Sequence, residues 1–354
     1  MGLFFSCNAP NINREDQIGS LPTDVISPSD NPSSRSKVEL GRMLFWDPIL
    51  SGNKDIACVT CHHPSHGYAE NIDLSLGVGG SGLSTSRVGG ALVKRNAPSI
   101  LNTAFNGIRS NYDYDPAAAV MFWDNRTQSL EEQALGPLHS EEEMRGHAFS
   151  EEETLEVLSQ RLAEIDEYRQ MFTEAFGDQL INSLRIGKAI AAFERSLIAV
   201  NSRFDQFARG DTNVLTDFEM RGIQEFMDAG CTNCHNGPML SDYELHNIGV
   251  KQNPKLDIVD QGVGGKFRTP SLRNLSFTAP YMHNGTVRTL KDAIRHYIDL
   301  SGSDIDPDLE SMELDDDEST IEAIEAFLRT LDDPSFDKTI PISVPSGLNP
   351  GGNI

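Results

Sequence analysis

The chain contains the run Cys-x-x-Cys-His twice, and this repeat constrains the fold more than any other feature. The first copy is Cys58-Val-Thr-Cys61-His62 and the second is Cys231-Thr-Asn-Cys234-His235. In c-type haem attachment, two thiols add to the haem vinyl groups and the next histidine becomes an axial ligand of the iron. We therefore predict two covalent haem c groups, bound through Cys58, Cys61 and His62 and through Cys231, Cys234 and His235.

Two other kinds of site are built from Cys-x-x-Cys pairs. One is a redox-active dithiol, and the other is a zinc site in which both pairs supply four thiolates. Neither requires a histidine immediately after each pair, and four of the five cysteines lie in these two motifs. Haem attachment is therefore the favoured interpretation.

Length and charge bound the class of protein. A chain of 354 residues is long enough for two domains. The net charge of −24 argues against binding to nucleic acid or to an anionic membrane surface. Such an acidic protein suits a basic protein partner, although the same charge also keeps a protein soluble. No run of eighteen apolar residues is present, so we expect no transmembrane helix.

The first seven residues, Met1-Gly-Leu-Phe-Phe-Ser-Cys7, are too short for a complete signal peptide. They look like the end of one, and Cys7 is then a possible lipid anchor. An ordinary disordered terminus with a spare cysteine is the alternative. Because this kind of haem attachment takes place outside the cytoplasm, we expect an export signal further upstream and a periplasmic location.

Helical periodicity dominates the chain, and no strand pattern is sustained. An amphipathic helix precedes each haem motif, and each of these helices contains Gly-x-x-x-Phe, at Gly41 to Phe45 and at Gly222 to Phe226. This is a weak internal repeat of a cytochrome c-like unit, and close helix packing is the simplest reason for each glycine. The predicted helices are 37–46, 128–135, 150–164, 184–200, 217–229, 289–300 and 319–331. We read the acidic run 304–318 as a solvated connection.

Several stretches around the two motifs resemble one known family. They are Leu-Gly-Arg-Met-Leu-Phe before the first motif, Arg95-Asn-Ala-Pro-Ser-Ile-Leu-Asn102, Phe122-Trp-Asp-Asn-Arg126, Glu132-Gln-Ala-Leu-Gly-Pro137, Phe267-Arg-Thr-Pro-Ser-Leu-Arg-Asn274 and Ala279-Pro-Tyr-Met-His-Asn-Gly285. From about residue 37 to 335, the chain is similar to the bacterial dihaem cytochrome c peroxidase and MauG family. We therefore expect a mostly α protein with two cytochrome c-like domains, each with one covalently bound haem c.

The resemblance implies a division of labour between the two domains. We assign 1–36 to a signal remnant or extended arm, 37–199 to an N-terminal peroxidatic haem domain, 200–335 to a C-terminal electron-transfer haem domain and 336–354 to an extended tail. Hydrogen peroxide would react at the first haem, and a small donor protein, a cytochrome c or a cupredoxin, would reduce the second. Trp123 matches the family's tryptophan between the haems, and a plain core aromatic is its structural alternative.

Peroxide cleavage needs a group that carries a proton from the inner to the outer oxygen. Glu143 matches the family's catalytic glutamate, with Gln133 as its neighbour in the pocket. Ser140-Glu-Glu-Glu143 is also a capping-box pattern, in which Glu143 would close the start of a helix.

Two departures from the peroxidase pattern concern the iron ligands. Where family peroxidases carry a second histidine ligand on the first haem, this chain has Val78, so the first iron is expected to have one open position. At the position of the methionine ligand of the second haem, the chain has Tyr297, with His296 as its rival. Tyr297 lies on the apolar face with Leu290 and Ile294, which favours Tyr297 as the iron ligand. An anionic oxygen ligand stabilises oxidised iron, as in the MauG arrangement, where both haems share two oxidising equivalents.

The family also holds a calcium ion between its two domains. The matching positions are Asn96 and the backbone carbonyls of Thr278 and Pro280, and oxygen ligands of this kind suit calcium. Three functions follow: a donor-dependent cytochrome c peroxidase, a MauG-like enzyme that oxidises residues of a partner protein, or a dihaem electron carrier. Val78 argues against the carrier, because a carrier gains nothing from an open iron.

Overall fold

The computed structural model describes residues 18–298, 300, 305–307, 309 and 312–354, and this part of the chain is mostly helical. Its α-helices are α1 Arg35–Trp46, α2 Cys58–Cys61, α3 Leu130–Gln133, α4 Gly136–His139, α5 Thr154–Ala163, α6 Asp166–Phe176, α7 Ser183–Ser196, α8 Arg203–Ala208, α9 Asp217–Asp228, α10 Leu290–His296 and α11 Glu318–Thr330. Three antiparallel pairs of two-residue strands join loops: β1 Gly80–Ser81 with β2 Val88–Gly89, β3 Val120–Met121 with β4 Thr127–Gln128, and β5 Leu245–His246 with β6 Phe267–Arg268.

The first apolar core forms where α1 crosses α7. The two helices approach so closely at Gly41 that a Cβ atom there would lie 1.9 Å from the carbonyl oxygen of Ala189. One turn later, the rings of Phe45 and Phe193 meet edge to face with their centroids 5.1 Å apart. Glycine is therefore required at the crossing, since any larger side chain would separate the helices.

The second apolar core repeats this crossing with α9 and α11. A Cβ atom at Gly222 would lie 1.9 Å from the carbonyl oxygen of Ala323, and the rings of Phe226 and Phe327 are 5.2 Å apart. Both copies of Gly-x-x-x-Phe therefore make the same contact. The predicted internal repeat is confirmed, and so is the packing reason for its glycines. The domain boundary near residue 200 stays a prediction.

Most predicted helices are present, with shifted ends. The prediction for 128–135 is wrong in its extent, because Gln128 belongs to β4 and Ser129 takes a positive φ of 60° before it caps α3. The helix predicted to reach residue 300 ends at His296 as α10. The helices α6 and α8 were not predicted. On α6, Tyr168 and Phe172 are buried in the first core.

Residues at both ends of the described chain pack onto the two cores. Ile18 pairs with Gly237 beside the second haem motif, and the amide of Leu21 donates to Asp205 at 2.8 Å. The prediction for Cys7 and the first 17 residues of the predicted signal remnant or extended arm, 1–36, lie outside the described residues. The extended tail runs back over the first core, where Phe336 and Val344 are buried.

Hydrogen bonds attach this tail to the first core along its length. Tyr68 donates its hydroxyl to the carbonyl oxygen of Asp337 at 2.8 Å, and Ser346 donates to the carboxylate of Asp47 at 2.7 Å. Within the first haem motif, Thr60 donates to the carbonyl oxygen of Gly351 at 3.2 Å. The tail therefore forms part of the first core.

Candidate functional site

The first haem motif places its histidine with one ring nitrogen engaged and the other available. The cysteines Cys58 and Cys61 begin and end α2. His62 Nδ1 lies 3.1 Å from the carbonyl oxygen of Tyr68, and burial lowers the pKa of His62. Because a carbonyl oxygen can only accept, Nδ1 carries the hydrogen, which leaves Nε2 as the metal-binding atom of a neutral imidazole.

The second motif repeats the arrangement. His235 Nδ1 lies 2.9 Å from the carbonyl oxygen of Leu240, and burial lowers the pKa of this histidine as well. Burial also raises the pKa of Cys58 and that of Cys231 to about 12. Both motifs therefore present a neutral, oriented imidazole beside two thiols, which fits covalent haem c.

A single zinc site built from all four cysteines does not fit this structure. Within the described part of the chain, the one group of three or more His, Cys, Asp or Glu residues whose ligand atoms all lie within 4.8 Å of one another is Cys234, Asp242 and His246. Neither cysteine of the first motif belongs to it. The two Cys-x-x-Cys pairs therefore act separately.

A cavity of about 380 Å³ adjoins the second motif. Cys231, Cys234 and His235 line it, and so does Tyr297, which follows the last residue of α10. Burial raises the pKa of the Tyr297 phenol, with the nearby thiols of Cys231 and Cys234 contributing. The walls include apolar residues of α10 and α11, namely Leu290, Ala293, Ile294, Ile324 and Leu328. These lining residues fit a haem, for which His235 and Tyr297 would be the candidate iron ligands.

His296 has different surroundings from its neighbour. Its Nε2 lies 2.7 Å from the carbonyl oxygen of Ile248, and His296 does not line the cavity. Since a carbonyl oxygen accepts, this nitrogen carries a hydrogen and is not free to bind a metal. The structure therefore favours Tyr297 over His296, in agreement with the apolar helix face.

Trp123 lines the same cavity and is held from two sides. Its indole Nε1 donates to the carbonyl oxygen of Asn96 at 2.9 Å, and its own carbonyl oxygen accepts from the amide of Arg268 at 2.7 Å. The preceding residue, Phe122, has a φ of 66° and packs its ring against the Arg126 guanidinium, 3.6 Å from the ring centroid. Trp123 is thus a buried aromatic with a fixed orientation beside the second haem cavity.

Glu143 lies in a π-helical turn, Glu141–Arg145, that follows α4. Ser140 Oγ accepts from the amide of Glu143 at 3.2 Å, which is half of a capping box. The other half is absent, because the amide of Ser140 donates to the carbonyl oxygen of Gly136. No hydrogen bond to the Glu143 carboxyl is found among the described residues, and burial raises its pKa against the opposing charge of Arg126. The carboxyl is thus not used to close the helix start.

Val78 lies directly against the backbone of Glu143. The amide of Val78 donates to the carbonyl oxygen of Glu143 at 2.9 Å. The preceding Gly77 is so close to this turn that a Cβ atom would lie 1.8 Å from the carbonyl oxygen of Glu142. Gln133 ends α3 and is half-buried, and no hydrogen bond joins it to Glu143 in the described residues. The structure thus brings Val78 and Glu143 together, and it leaves Gln133 without a direct link to either.

Known proteins resemble this chain in sequence and in fold. A family model described as di-haem cytochrome c peroxidase matches residues 35–213. The methylamine utilization protein MauG of Methylophilus methylotrophus is 32% identical, and the match covers 88% of this chain and 87% of that protein. The cytochrome c551 peroxidase of Nitrosomonas europaea is 33% identical, with 89% of this chain and 85% of that protein covered.

The chain belongs to the di-haem cytochrome c peroxidase family. Among solved structures, a MauG-like protein associated with microbial copper homeostasis has a TM-score of 0.71 at 28% identity, covering 88% of this chain and 95% of that chain. The diheme peroxidase BthA of Burkholderia thailandensis shares the fold, with a TM-score of 0.67 at 22% identity over 94% of this chain and 98% of its own.

The calcium positions inferred from this family line the cavity beside the second haem motif. Asn96, Thr278 and Pro280 all line the cavity beside Trp123. The side chain of Asn96 is buried, and its Nδ2 donates to the carbonyl oxygen of Ile72 at 2.9 Å. The amide nitrogen is thereby occupied, which leaves Oδ1 as the atom suited to a cation.

His246 is a residue of this peroxidase-family site that sequence reasoning missed. It lines the second cavity, with Nε2 3.0 Å from Asp242 and Nδ1 3.2 Å from Asp306. The hydrogen bond to Asp242 raises the pKa of His246 to about 11. Asp306 is buried and also pairs with Lys266, so the interpretation of 304–318 as a solvated connection is wrong at this residue. No local motif marks His246, because its second partner lies 60 residues away.

Proposed function

We propose that the chain is a peroxidase that reduces hydrogen peroxide at the haem bound by Cys58, Cys61 and His62. The observation that carries this proposal is the pairing of Val78 with Glu143. Valine cannot bind iron, and its amide bonds the backbone of Glu143, a half-buried glutamate whose carboxyl has no hydrogen bond within the described residues. An open coordination position with an acid–base group next to it is what peroxide cleavage requires.

The bound haem supplies an iron that binds peroxide and exchanges electrons. The overall reaction takes one peroxide, two protons and two electrons to two molecules of water. Glu143 takes the proton from the inner oxygen and returns it to the outer one, so that water leaves as the O–O bond breaks. Burial raises the pKa of Glu143 and so brings it closer to neutral pH. A carboxyl with such a pKa is suited both to taking up the proton and to giving it back.

The electrons come from a protein donor through the second haem, held by Cys231, Cys234 and His235. Trp123 is the proposed relay, because it lines the second cavity and is held rigidly by Asn96 and Arg268. We propose a periplasmic location on the strength of the haem attachment, and a calcium ion at Asn96, Thr278 and Pro280. No helix in the described residues has the length and apolarity to cross a bilayer.

Oxidation of residues in a partner protein, as the relatives named MauG suggest, is the second candidate. The observation that favours it is Tyr297 in the cavity of the second haem. A phenolate oxygen stabilises oxidised iron, whereas a thioether stabilises reduced iron. With Tyr297 as ligand, the second haem is suited to holding oxidising equivalents drawn from the first.

Replacing Glu143 tests the first proposal directly. Glu143→Gln keeps the shape of the side chain and removes its proton-transfer ability. We expect it to retain both haems and to slow the reaction with peroxide by about 10² to 10⁴. Glu142→Gln is the matched control, because Glu142 lies next in the same turn and is exposed. Stopped-flow measurement of the first haem's absorption gives both rates.

The outcome separates catalysis from helix structure. A Glu143→Gln protein that reacts at the parental rate would mean that the carboxyl takes no part in peroxide cleavage. Equal slowing of the Glu142→Gln protein would mean that the turn itself, rather than the Glu143 carboxyl, is the sensitive feature.

A further inference from the structure

Arg87 is a buried arginine whose side chain binds backbone carbonyl groups of a single loop. Its Nε donates to Leu76 at 2.6 Å, Nη2 to Gly77 at 3.0 Å and Nη1 to Gly82 at 2.9 Å. The residue is 5% exposed. A buried arginine usually has an ion-pair partner. Within the described residues, no carboxylate lies within ion-pair distance of Arg87, and the buried Glu70 interacts with its charge from further away. The planar guanidinium group therefore holds the backbone in place, since it bonds three carbonyl oxygens at fixed angles.

The loop Leu76–Gly82 is shaped around this guanidinium. A Cβ atom at Gly80 would lie 2.7 Å from Arg87 Nη2, so the backbone touches the fork there. On the other side, Gly77 touches the backbone of Glu142. The loop is thus enclosed between Arg87 and the turn Glu141–Arg145.

Further backbone bonds hold the middle of the loop. The amide of Gly77 donates to the carbonyl oxygen of Ala91 at 2.8 Å. The amide of Ala91 donates to the carbonyl oxygen of Val78 at 3.2 Å. The amide of Val78 in turn donates to Glu143 at 2.9 Å. Among the described residues, Arg87 is the one side chain that bonds the loop on both sides of Val78, through Gly77 before it and Gly82 after it.

We propose that Arg87 is a positioning residue for the peroxide-binding side of the first haem. By clamping Leu76–Gly82, it keeps Val78 in place beside the open coordination position. Through the hydrogen bond from the amide of Val78 to the carbonyl oxygen of Glu143, it also fixes the position of the turn that carries the acid–base carboxyl. This inference rests on the proposed function, because it takes Val78 and Glu143 as the residues that face peroxide.

The test combines two substitutions of Arg87 with a spectroscopic measurement. Arg87→Met removes all three bonds, and Arg87→Lys keeps the charge but lacks the fork. In the resting parent, the open position predicts one high-spin and one low-spin haem by electron paramagnetic resonance. We expect both variants to split or broaden the high-spin signal and to leave the low-spin signal unchanged. Their reaction with peroxide should slow by about 10-fold to 10²-fold.

Leu162→Ala is the control for a general loss of stability. Leu162 is fully buried in the first core, so this truncation lowers the unfolding temperature without touching the loop. It should leave the high-spin signal and the peroxide rate at their parental values. If Leu162→Ala alters both as Arg87→Met does, the role of Arg87 is merely structural.

Failure of the inference can be told from failure of the proposed function. An Arg87→Met protein with the parental high-spin signal and peroxide rate overturns the positioning role. A parent protein with two low-spin haems overturns the open site itself, whatever the variants do. If Arg87→Met does not fold, Arg87→Lys and Gly80→Ala decide, since Gly80→Ala disturbs the clamp while Arg87 stays. Parental spectra in both of these overturn the inference.

Discussion

At residues 296 and 297, the chain offers two potential iron ligands side by side. Tyr297 lines the cavity of the second haem, and His296 uses Nε2 to bond the carbonyl oxygen of Ile248. The difference comes from helix geometry, since neighbouring residues on a helix point about 100° apart. One residue therefore faces the apolar interior while the other faces a loop.

Replacing each of these two side chains in turn should have different effects on the second haem. Tyr297→Met should raise the reduction potential of the second haem, because a thioether stabilises ferrous iron. His296→Ala should leave the potential and the spectrum of that haem nearly unchanged. Potentiometric titration followed by absorption measures both. If His296→Ala shifts the second haem and Tyr297→Met does not, the ligand assignment is wrong.

At this scale, the sequence predicted residues whose chemistry is carried by a local pattern. The two haem motifs and the apolar face of Tyr297 are examples, whereas the interest of Val78 came from the resemblance to the family. It did not predict Arg87, His246 or the carbonyl groups that orient His62 and His235. These contacts depend on how loops return to the site, and His246 needs partners from two separate loops. The sequence also does not show whether the Glu143 carboxyl completes the capping box at Ser140. The pattern Ser140-Glu-Glu-Glu143 is compatible both with a capping carboxyl and with a free acid–base carboxyl.

Among the elements, the two helix crossings at Gly41 and Gly222 repeat each other in detail. Each places a glycine against the carbonyl group of an alanine and a phenylalanine against another phenylalanine one turn later. Strong periodicity made α1, α9 and α11 predictable. The segment 128–135 was not, because the positive φ of Ser129 depends on the pairing of β3 with β4.

Alanine at either glycine should damage one core and spare the other. A methyl group 1.9 Å from a carbonyl oxygen must push the helices apart, and overpacking of this kind costs about 3 kcal/mol. Gly41→Ala should lower the unfolding temperature seen at the first haem, and Gly222→Ala that seen at the second. Thermal unfolding followed at each haem's own absorption band reports this, and each variant is the other's control. Equal effects on both haems would show that the two cores unfold as one unit.

For the molecule as a whole, the proposed calcium site joins residues that are nearly 200 positions apart in the chain. Asn96 contributes from beside the first core, and Thr278 and Pro280 contribute from the segment that follows β6. Asn96 is also the residue whose carbonyl oxygen holds the indole of Trp123. A cation there would fix the relay and both halves of the chain at one point.

Metal analysis tests this site. We expect one calcium per chain in the parent, and loss of it in Asn96→Ala, which removes the side-chain oxygen. Thr278→Val is the matched control, because it keeps the backbone carbonyl and should keep the calcium. Chelation should lower the free energy of unfolding of the parent by about 2.7 kcal/mol at a calcium concentration 100 times the Kd. Calcium bound equally well by Asn96→Ala would remove Asn96 from the ligand set.

The tail over the first core has a consequence for the order of assembly. Asp47 and Ser346, which bond each other, are 299 residues apart in the chain. Apart from Ile18, the residues of the second core lie within that interval, so in topological terms most of it is an insertion into the first. In a chain that folds as it emerges, the second core has all its helices once residue 330 has emerged, whereas the first core gains its last bonds to the tail only when Asn353 reaches Asp55. We therefore expect the core beside the first Cys-x-x-Cys-His motif to be completed last.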